Sequence, residues 1–250
     1  MINIETLLSS SIAENYYNFE NKYIVMVDVF RASTVICAGL YNQANKITPV
    51  KNIDEAFELK VKSKSETLLC GERKSIKVDG FDLGNSPLEY KQEVVKNKDI
   101  ILTTSNGTRI FTLGKDAFKR VIGCFANLDF VLKDISSYIS ELKSNKNKIN
   151  LLFLCAGTNG NYSQEDALFI AKLISSIKTK HKEVELCDSS ELILNNYFNN
   201  QDNIKEYISN SSHAKYMKSL NLYDDIEICL SENIYPILPI IIKNEIVADK

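Results

Sequence analysis

Short apolar runs alternate with longer segments of helical spacing along the 250-residue chain. The most apolar run, 148–157, shows no polar alternation, which indicates a central strand covered on both faces. A helix is predicted at 163–177, where Ser163 can cap the first turn and apolar residues recur at helical spacing. Further strands are predicted at 23–29, 46–50, 66–72, 99–105 and 121–125, and further helices at 32–43, 54–63, 86–97 and 127–144.

This order of strands and helices predicts a layered α/β/α fold with a largely parallel or mixed central sheet. We expect one compact unit over residues 1–250, with two closely packed lobes meeting near 145–150 as the alternative. The last third is helical or mixed in pattern as far as 235–246, which predicts strand. The segment before Tyr23 is irregular and predicts no clear first strand.

Glycine is scarce and concentrated in loops. Of the nine glycines, six lie in four short loops that each follow a predicted strand. Glycine is favoured where the backbone needs a positive φ or must approach a ligand closely. Ligands of open α/β sheets bind at the carboxyl ends of the strands, so these loops predict one binding site there. The six are Gly71, Gly80, Gly84, Gly107, Gly157 and Gly160.

The same loops hold most of the arginines. Twenty-six of the thirty basic residues are lysine and four are arginine, of which Arg31, Arg73 and Arg109 lie in these loops. Lysine would serve for solubility, whereas a guanidinium offers a planar fork that binds carboxylate, phosphate or sulfonate through two hydrogen bonds. The pattern predicts an oxyanion ligand.

Acidic and amide side chains accompany the arginines. Such hard oxygen ligands suit Mg²⁺ better than zinc or copper. Backbone N–H groups at the predicted helix starts near Ser33, Gly107 and Ser163 add donors for an anion. Magnesium combined with arginine donors recurs in phosphoryl transfer, so the residues predict metal-assisted chemistry on a phosphorylated acid. The oxygen ligands are Asp28, Glu72, Asp82, Asn85 and Asn106.

Several function classes are excluded or disfavoured. A formal net charge of −2 and scattered lysines argue against a general nucleic-acid binder. The six cysteines and two histidines lack zinc-site spacing, and neither a P-loop, a Rossmann glycine motif nor a G-x-S-x-G elbow occurs. Asp28 ends a predicted strand as a haloacid-dehalogenase nucleophile does, but Phe30 stands where that class needs its second aspartate. No run is long enough to cross a membrane, and we expect a cytoplasmic protein with reduced thiols.

Six segments together resemble the 2-phosphosulfolactate phosphatase family, magnesium-dependent enzymes best known from coenzyme M biosynthesis. The resemblance runs in order from about residue 23 to 240. One departure is Lys74-Ser75-Ile76, where the family tends to be rich in glycine. The matching segments are VDVFRAST (27–34), CGER (70–73), GFDLGNSPLEY (80–90), LTTSNGTR (102–109), LCAGTNG with SQED (154–166), and SSHAKYM (211–217) with DDIEICL (224–230).

The resemblance implies that Asp28, Glu72 and Asp82 organise Mg²⁺ while the loop arginines bind anionic groups. Asp28 is alternatively the nucleophile of a phospho-enzyme. Asp166 or Glu165 is a metal ligand or general acid, or else an acid that stabilises its helix N-terminus. The expected catalytic residues are Asp28, Arg31, Glu72, Arg73, Asp82, Asn106, Arg109 and Asp166; those expected to bind substrate are Arg31, Ser33, Thr34, Arg73, Asn85, Ser86, Asn106, Gly107, Thr108, Arg109, Gly157 and His213.

The activity that the resemblance implies is hydrolysis of (R)-2-phospho-3-sulfolactate to 3-sulfolactate and phosphate. A Lys/Asn/Ile-rich composition is typical of bacteria that need not make coenzyme M, so a related 2-phospho-hydroxy acid is an alternative substrate. A non-catalytic sensor or carrier of such acids is the alternative of another class; it would have no need for three acids beside the arginines. The expected partner is a small anionic phosphorylated substrate, with no nucleic acid and no membrane, and a homodimer is left open.

Overall fold

The computed structural model describes residues 1–16, 18–144 and 148–249. Within them, eleven strands form one mixed sheet. The strands are β1 (Ile2–Leu7), β2 (Tyr23–Val27), β3 (Lys46–Pro49), β4 (Thr67–Arg73), β5 (Ile76–Lys77), β6 (Asp99–Thr103), β7 (Lys119–Gly123), β8 (Ile149–Cys155), β9 (Val184–Leu186), β10 (Pro239–Ile242) and β11 (Glu245–Ala248).

Helices flank the sheet, and short 3₁₀ turns at Pro87–Glu89, Phe125–Asn127 and Gln201–Asn203 connect some of them. The helices are α1 (Ser10–Ala13), α2 (Ala32–Tyr41), α3 (Ile53–Lys62), α4 (Gln92–Val95), α5 (Gly107–Ile110), α6 (Leu128–Ser144), α7 (Gln164–Lys180), α8 (Asp188–Asn200), α9 (Ile204–Ser209), α10 (Ser212–Ser219) and α11 (Tyr223–Cys229). None of those in the described residues combines the length and the apolar character needed to span a membrane.

The sheet consists of two parallel blocks joined by a hairpin. Its strand order is β5-β4-β6-β3-β11-β10-β7-β2-β8-β1-β9. Strands β7, β2, β8, β1 and β9 are parallel neighbours, and so are β4, β6 and β3. The antiparallel hairpin β10–β11 lies between the blocks and pairs with β7 on one side and β3 on the other. The predicted 235–246 strand is therefore a hairpin near the middle of the sheet.

Both faces of the central strands are covered. Every residue of β2 is buried, and alternate residues belong to two different core clusters: Tyr23, Val25 and Val27 face one, and Ile24 and Met26 face the other. This is the burial expected of a strand without polar alternation. The layered α/β/α prediction is confirmed, and the sheet is mixed in orientation.

Helix α2 packs against strands of both parallel blocks. Its residues 32–40 are all buried, and most of its apolar residues pack in a cluster that also contains Ile24 of one block and Ile47 of the other. A helix that is apolar on all sides is stable only inside the core. The loop between β2 and α2 therefore lies against the loops that follow β4 and β6.

Two sequence predictions change, and a third falls partly outside the described residues. The helix predicted at 86–97 is wrong: the chain forms a 3₁₀ turn and the short α4, because the Ser86 hydroxyl bonds to a distant carboxylate and Glu89 accepts from the Gly84 N–H instead of capping a helix. The segment before Tyr23 contains β1, which pairs with β8 over six residues. The alternative lobe boundary near 145–150 includes residues 145–147, which lie outside the described residues, and the division into lobes stays a prediction.

Candidate active site

A cavity of about 450 Å³ opens among the loops that follow β2, β4, β6 and β8, with α10 on its rim. We call it the main cavity. It brings together six of the residues singled out from the sequence, although they come from five separate segments. They are Asp28, Arg31, Glu72, Asn85, Asn106 and His213.

Asp28 lies directly after β2. Its Oδ1 accepts a hydrogen bond from the N–H of Ala32 (3.3 Å), at the start of α2. A side chain at Gly107 would collide with Asp28 Oδ2 and with the Ala32 Cβ, so glycine is required there by close approach. Burial raises the pKa of Asp28 to about 7, opposed by the attraction of His213 and the Ala32 N–H and assisted by nearby carboxylates. Asp28 is therefore a buried acid whose charged form a cation bound beside it would stabilise.

Arg31 also lines the main cavity and is held from behind by a residue that the sequence analysis gave no role. Its Nη1 donates to Asp225 Oδ2 at 2.5 Å, and its Nη2 donates to the Ser75 carbonyl at 3.1 Å. The other oxygen of Asp225 accepts from the Ser86 hydroxyl at 2.5 Å. Arg31 and Asp225 are both 4% exposed in their side chains, so this is a buried ion pair. Asp225 lies in the DDIEICL segment, but a partner 194 residues away carries no local signal.

Glu72 joins two loops. Its Oε1 accepts from the Ser105 N–H (2.7 Å), and its Oε2 accepts from the Ser75 N–H (2.6 Å) and the Ser105 hydroxyl (3.2 Å). Lys74 and Ser75, where the sequence departs from a glycine-rich pattern, adopt φ of 52° and 63°, a region that favours glycine. The carboxylate of Glu72 thus holds the turn between β4 and β5 against the loop after β6.

The buried Glu165 pairs with His213, which is partly buried. Glu165 Oε1 lies 2.7 Å from His213 Nδ1, and the Thr158 hydroxyl lies 3.1 Å from the same nitrogen. Burial lowers the pKa of His213, but the hydrogen bond to Glu165 and the charge of Asp28 outweigh it, so that the pKa is raised. The sequence pattern points to each residue separately and does not pair them, because 48 positions separate them in the chain.

Asp166 tethers two loops and does not line the main cavity. Its Oδ1 accepts from the Val29 N–H (2.8 Å) and its Oδ2 from the Gly157 N–H (3.0 Å). Burial raises its pKa, and so do the neighbouring Asp28 and Glu165. Its placement fits a residue that positions the loops after β2 and β8. Gly157, expected to bind substrate, has a φ of +68°, so the tight turn at this position explains why a glycine is there.

Arg73 and Asp82 lie outside the main cavity, contrary to the expectation that they complete an arginine set and a metal triad. Arg73 donates to the Glu72 carbonyl (2.7 Å) and the Thr103 hydroxyl (2.9 Å). Asp82 accepts from the Leu69 N–H and from Lys60, both at 2.8 Å. Arg73 and one oxygen of Asp82 are thus bonded to protein groups, and neither side chain lines the main cavity.

The hydroxyl residues expected to bind substrate mostly shape the loops. Thr34 donates to the Val29 carbonyl (3.1 Å), Ser33 accepts from the Asp28 N–H (2.9 Å), and Thr108 donates to the Thr104 carbonyl (3.2 Å). Ser33, Thr34 and Thr108 are fully buried, and Ser86 supports Asp225 as described above. These contacts within the protein explain why serine or threonine stands at each of these positions, and no contact with a ligand is needed for that.

Arg109 lines a second, smaller cavity of about 270 Å³, which we call the Arg109 pocket. The two cavities share Ser105, Asn106 and Asn159. Asn106 Oδ1 accepts from the Asn159 N–H at 3.1 Å, which places this contact between them. The three arginines of the sequence pattern therefore have three different environments, and two of them face a cavity.

The residues of the main cavity fit Mg²⁺ with a donor set that differs from the predicted triad. Across the described residues, no three histidine, cysteine or carboxylate side chains converge as a dedicated metal cage. Mg²⁺ usually takes only one or two carboxylates and fills its other positions with water and substrate phosphate. Asn85 Oδ1 is buried and has no hydrogen-bond partner among the residues described, and it lines the same cavity as Asp28 and Glu72.

The charge of the site also fits a cation. Two buried carboxyl groups line the main cavity beside three cations, and three more buried carboxyl groups lie behind it, so an anionic substrate would be repelled unless protons or a metal ion compensated. The carboxyl groups are Asp28, Glu72, Glu165, Asp166 and Asp225, and the cations lining the cavity in the described residues are Arg31, Lys74 and His213.

Comparison with known proteins agrees with the sequence resemblance. A family model described as 2-phosphosulpholactate phosphatase matches residues 9–244. The probable 2-phosphosulfolactate phosphatase of Clostridium perfringens (strain SM101 / Type A) is 38% identical over 218 residues, which cover 86% of this chain and 84% of the relative. That of Thermotoga maritima is 38% identical over 225 residues, covering 89% and 90%. The family match begins before Tyr23 and so extends the resemblance toward the N-terminus.

Proposed function

We propose, since the chain belongs to the 2-phosphosulfolactate phosphatase family, that it hydrolyses (R)-2-phospho-3-sulfolactate to 3-sulfolactate and phosphate in a reaction that needs Mg²⁺. The observation that carries the proposal is the main cavity, where Arg31 and His213 face the same space as the carboxylates of Asp28 and Glu72. Such a space suits an anionic substrate that arrives with a divalent cation.

Asp28, Glu72 and the amide oxygen of Asn85 would hold the metal ion. Bound Mg²⁺ would supply positive charge against the non-bridging oxygens of the phosphate. Glu72 also keeps its loop contacts, because each carboxylate oxygen has a second lone pair. Asp28 as nucleophile is the alternative to Asp28 as metal ligand, and trapping of a phospho-enzyme would distinguish the two.

Arg31 and His213 act on the substrate directly. Arg31 uses one N–H of each terminal nitrogen on Asp225 and Ser75, which leaves its other N–H groups for a phosphate oxygen. In the hydrolysis, water attacks phosphorus and the bond from phosphorus to the C2 oxygen breaks. His213, kept protonated by Glu165, donates a proton to that oxygen.

Phosphate release tests the proposal. Racemic 2-phosphosulfolactate, 2-phospholactate and phosphoglycolate are supplied with Mg²⁺ or with EDTA, and Asp28→Asn serves as the control for contaminating phosphatases. We expect release from 2-phosphosulfolactate with Mg²⁺ only. Release from none of the three would reject an enzyme and leave a binding protein, which calorimetry with the same compounds would detect. Full activity in EDTA would reject the role of Mg²⁺, and preference for a compound without sulfonate would change the substrate and pathway.

A further inference from the structure

The Arg109 pocket differs in charge from the main cavity beside it. Its lining residues in the described chain include no carboxylate: besides the three shared residues, they are Ser10, Ser11, Arg109 and Gly160. Ser10 and Ser11 come from α1, in the N-terminal segment for which the sequence predicted no role. A cavity lined by one cation and by hydroxyl and amide groups is suited to an anion without help from a metal ion.

Two donors in this pocket have no protein partner among the described residues. The guanidinium of Arg109 makes no hydrogen bond or ion pair with any residue that the structure describes, unlike those of Arg31 and Arg73. Ser10 is 3% exposed, lines the pocket, and its hydroxyl likewise bonds to none of the described residues. Arg109 is an exposed side chain and Ser10 lies at the pocket wall, so both donors are open to an anion that enters the pocket.

We propose that the Arg109 pocket is the subsite for the sulfonate group of the substrate, while the phosphate lies in the main cavity. The inference rests on the proposed function. A sulfonate stays ionised at every physiological pH, is a weak metal ligand, and presents three oxygens that a guanidinium and hydroxyls can bind. The phosphate needs the cation that the acid-rich cavity would hold. The shared residues Ser105, Asn106 and Asn159 border both groups, and a three-carbon acid spans the boundary.

The test compares two substrates that differ only in the sulfonate. For Arg109→Ala we expect kcat/KM to fall about 100-fold with 2-phosphosulfolactate but by no more than about tenfold with 2-phospholactate. The reason is that the charge-assisted pair with the sulfonate exists only with the former substrate. Ser10→Ala should show the same selectivity with a loss of about tenfold. Equal losses with both substrates would overturn the subsite. Arg73→Lys is the matched control, since its guanidinium bonds only to protein, and should leave the ratio of the two substrates unchanged.

Product binding gives a second readout that does not need turnover. In calorimetry with Mg²⁺, the wild-type protein should bind 3-sulfolactate more tightly than lactate, and Arg109→Ala should remove most of that difference. An equal preference in wild type and variant would reject the proposal. If Arg109→Ala fails to fold in thermal unfolding, Ser10→Ala decides the question. Failure of the proposed function is distinct: the wild-type protein would then release phosphate from neither substrate.

Discussion

The 28–34 loop and the 71–82 segment look alike in sequence but use their charges differently. Each carries an arginine and acidic residues after a strand. In the first, Asp28 and Arg31 face the main cavity, and Arg31 is held by Asp225 from the far end of the chain. In the second, Arg73 and Asp82 bond to neighbouring protein groups. A charged residue near the end of a strand therefore belongs to the site only if its side chain also lines the cavity, as those of Asp28 and Arg31 do and those of Arg73 and Asp82 do not.

The largest effect should come from Asp28→Asn. The substitution keeps the shape of the side chain but removes the charge that would hold a metal ion or attack phosphorus. We expect kcat for 2-phosphosulfolactate to fall at least about 1,000-fold, measured by phosphate release at saturating Mg²⁺. A loss below about tenfold would show that Asp28 is not needed for the reaction, and the contrast in function between the 28–34 loop and the 71–82 segment would then be wrong.

The same variant should be more stable when metal is absent. Burial raises the pKa of Asp28 to about 7, above its value in an unfolded chain, so the protonated form is the one that folding favours. The wild-type protein in EDTA should therefore lose stability as pH rises from about 4 through about 7, and the loss is complete above that range. The substituted asparagine would be neutral throughout, so we expect Asp28→Asn to be more stable at pH 8 by about 1–3 kcal/mol.

Urea unfolding in EDTA at pH 5 and pH 8 measures this effect. The gain from Asp28→Asn should be small at pH 5 and larger at pH 8. Added Mg²⁺ should stabilise the wild-type protein at pH 8 and the variant much less, because binding to the folded state alone raises its stability. Equal pH dependence in the two proteins would contradict a raised pKa for Asp28.

Lysine substitutions at the two arginines compare the regions directly. Arg31→Lys keeps the charge but cannot reproduce the planar fork between Asp225, Ser75 and substrate, and we expect kcat/KM to fall about 100-fold. Arg73→Lys should lower kcat/KM by less than about threefold and the free energy of unfolding by about 0.5–1.5 kcal/mol, since its hydrogen bonds are to protein. Similar losses of activity from both would restore the sequence interpretation in which the arginines act alike.

The sequence was sufficient where the signal is local. Apolar runs and capping residues predicted the central strand β8 and helix α7, whose Ser163 accepts from the Asp166 N–H as a cap should. Position after a strand correctly predicted that Asp28 and Arg31 share a cavity. These features depend on periodicity of about 2 or 3.6 residues and on the polarity of strand ends.

Long-range partners were beyond the sequence. Nothing near Arg31 indicates Asp225, and nothing near Ser86 shows that its hydroxyl serves the same carboxylate instead of a helix N-terminus. The segment before Tyr23 does contain a local strand signal, since Ile2 and Ile4 alternate with the less buried Asn3 and Glu5 in β1. Ser10, which follows this strand, has no such signal for its place in the Arg109 pocket. Whether a side chain is free for a ligand depends on such contacts, which only the folded chain supplies.

The smallest effect should come from Asp82→Asn, and it tests the weaker side of the comparison. The carboxylate of Asp82 is 38% exposed and pairs with Lys60, so the ion pair should stabilise the protein by less than about 1 kcal/mol. We expect kcat to stay within about twofold of wild type and the Mg²⁺ concentration for half-maximal activity to be unchanged, because the side chain lies outside the main cavity. A rise of about tenfold in the Mg²⁺ requirement would make Asp82 a metal ligand after all, alongside Glu72 of the same segment.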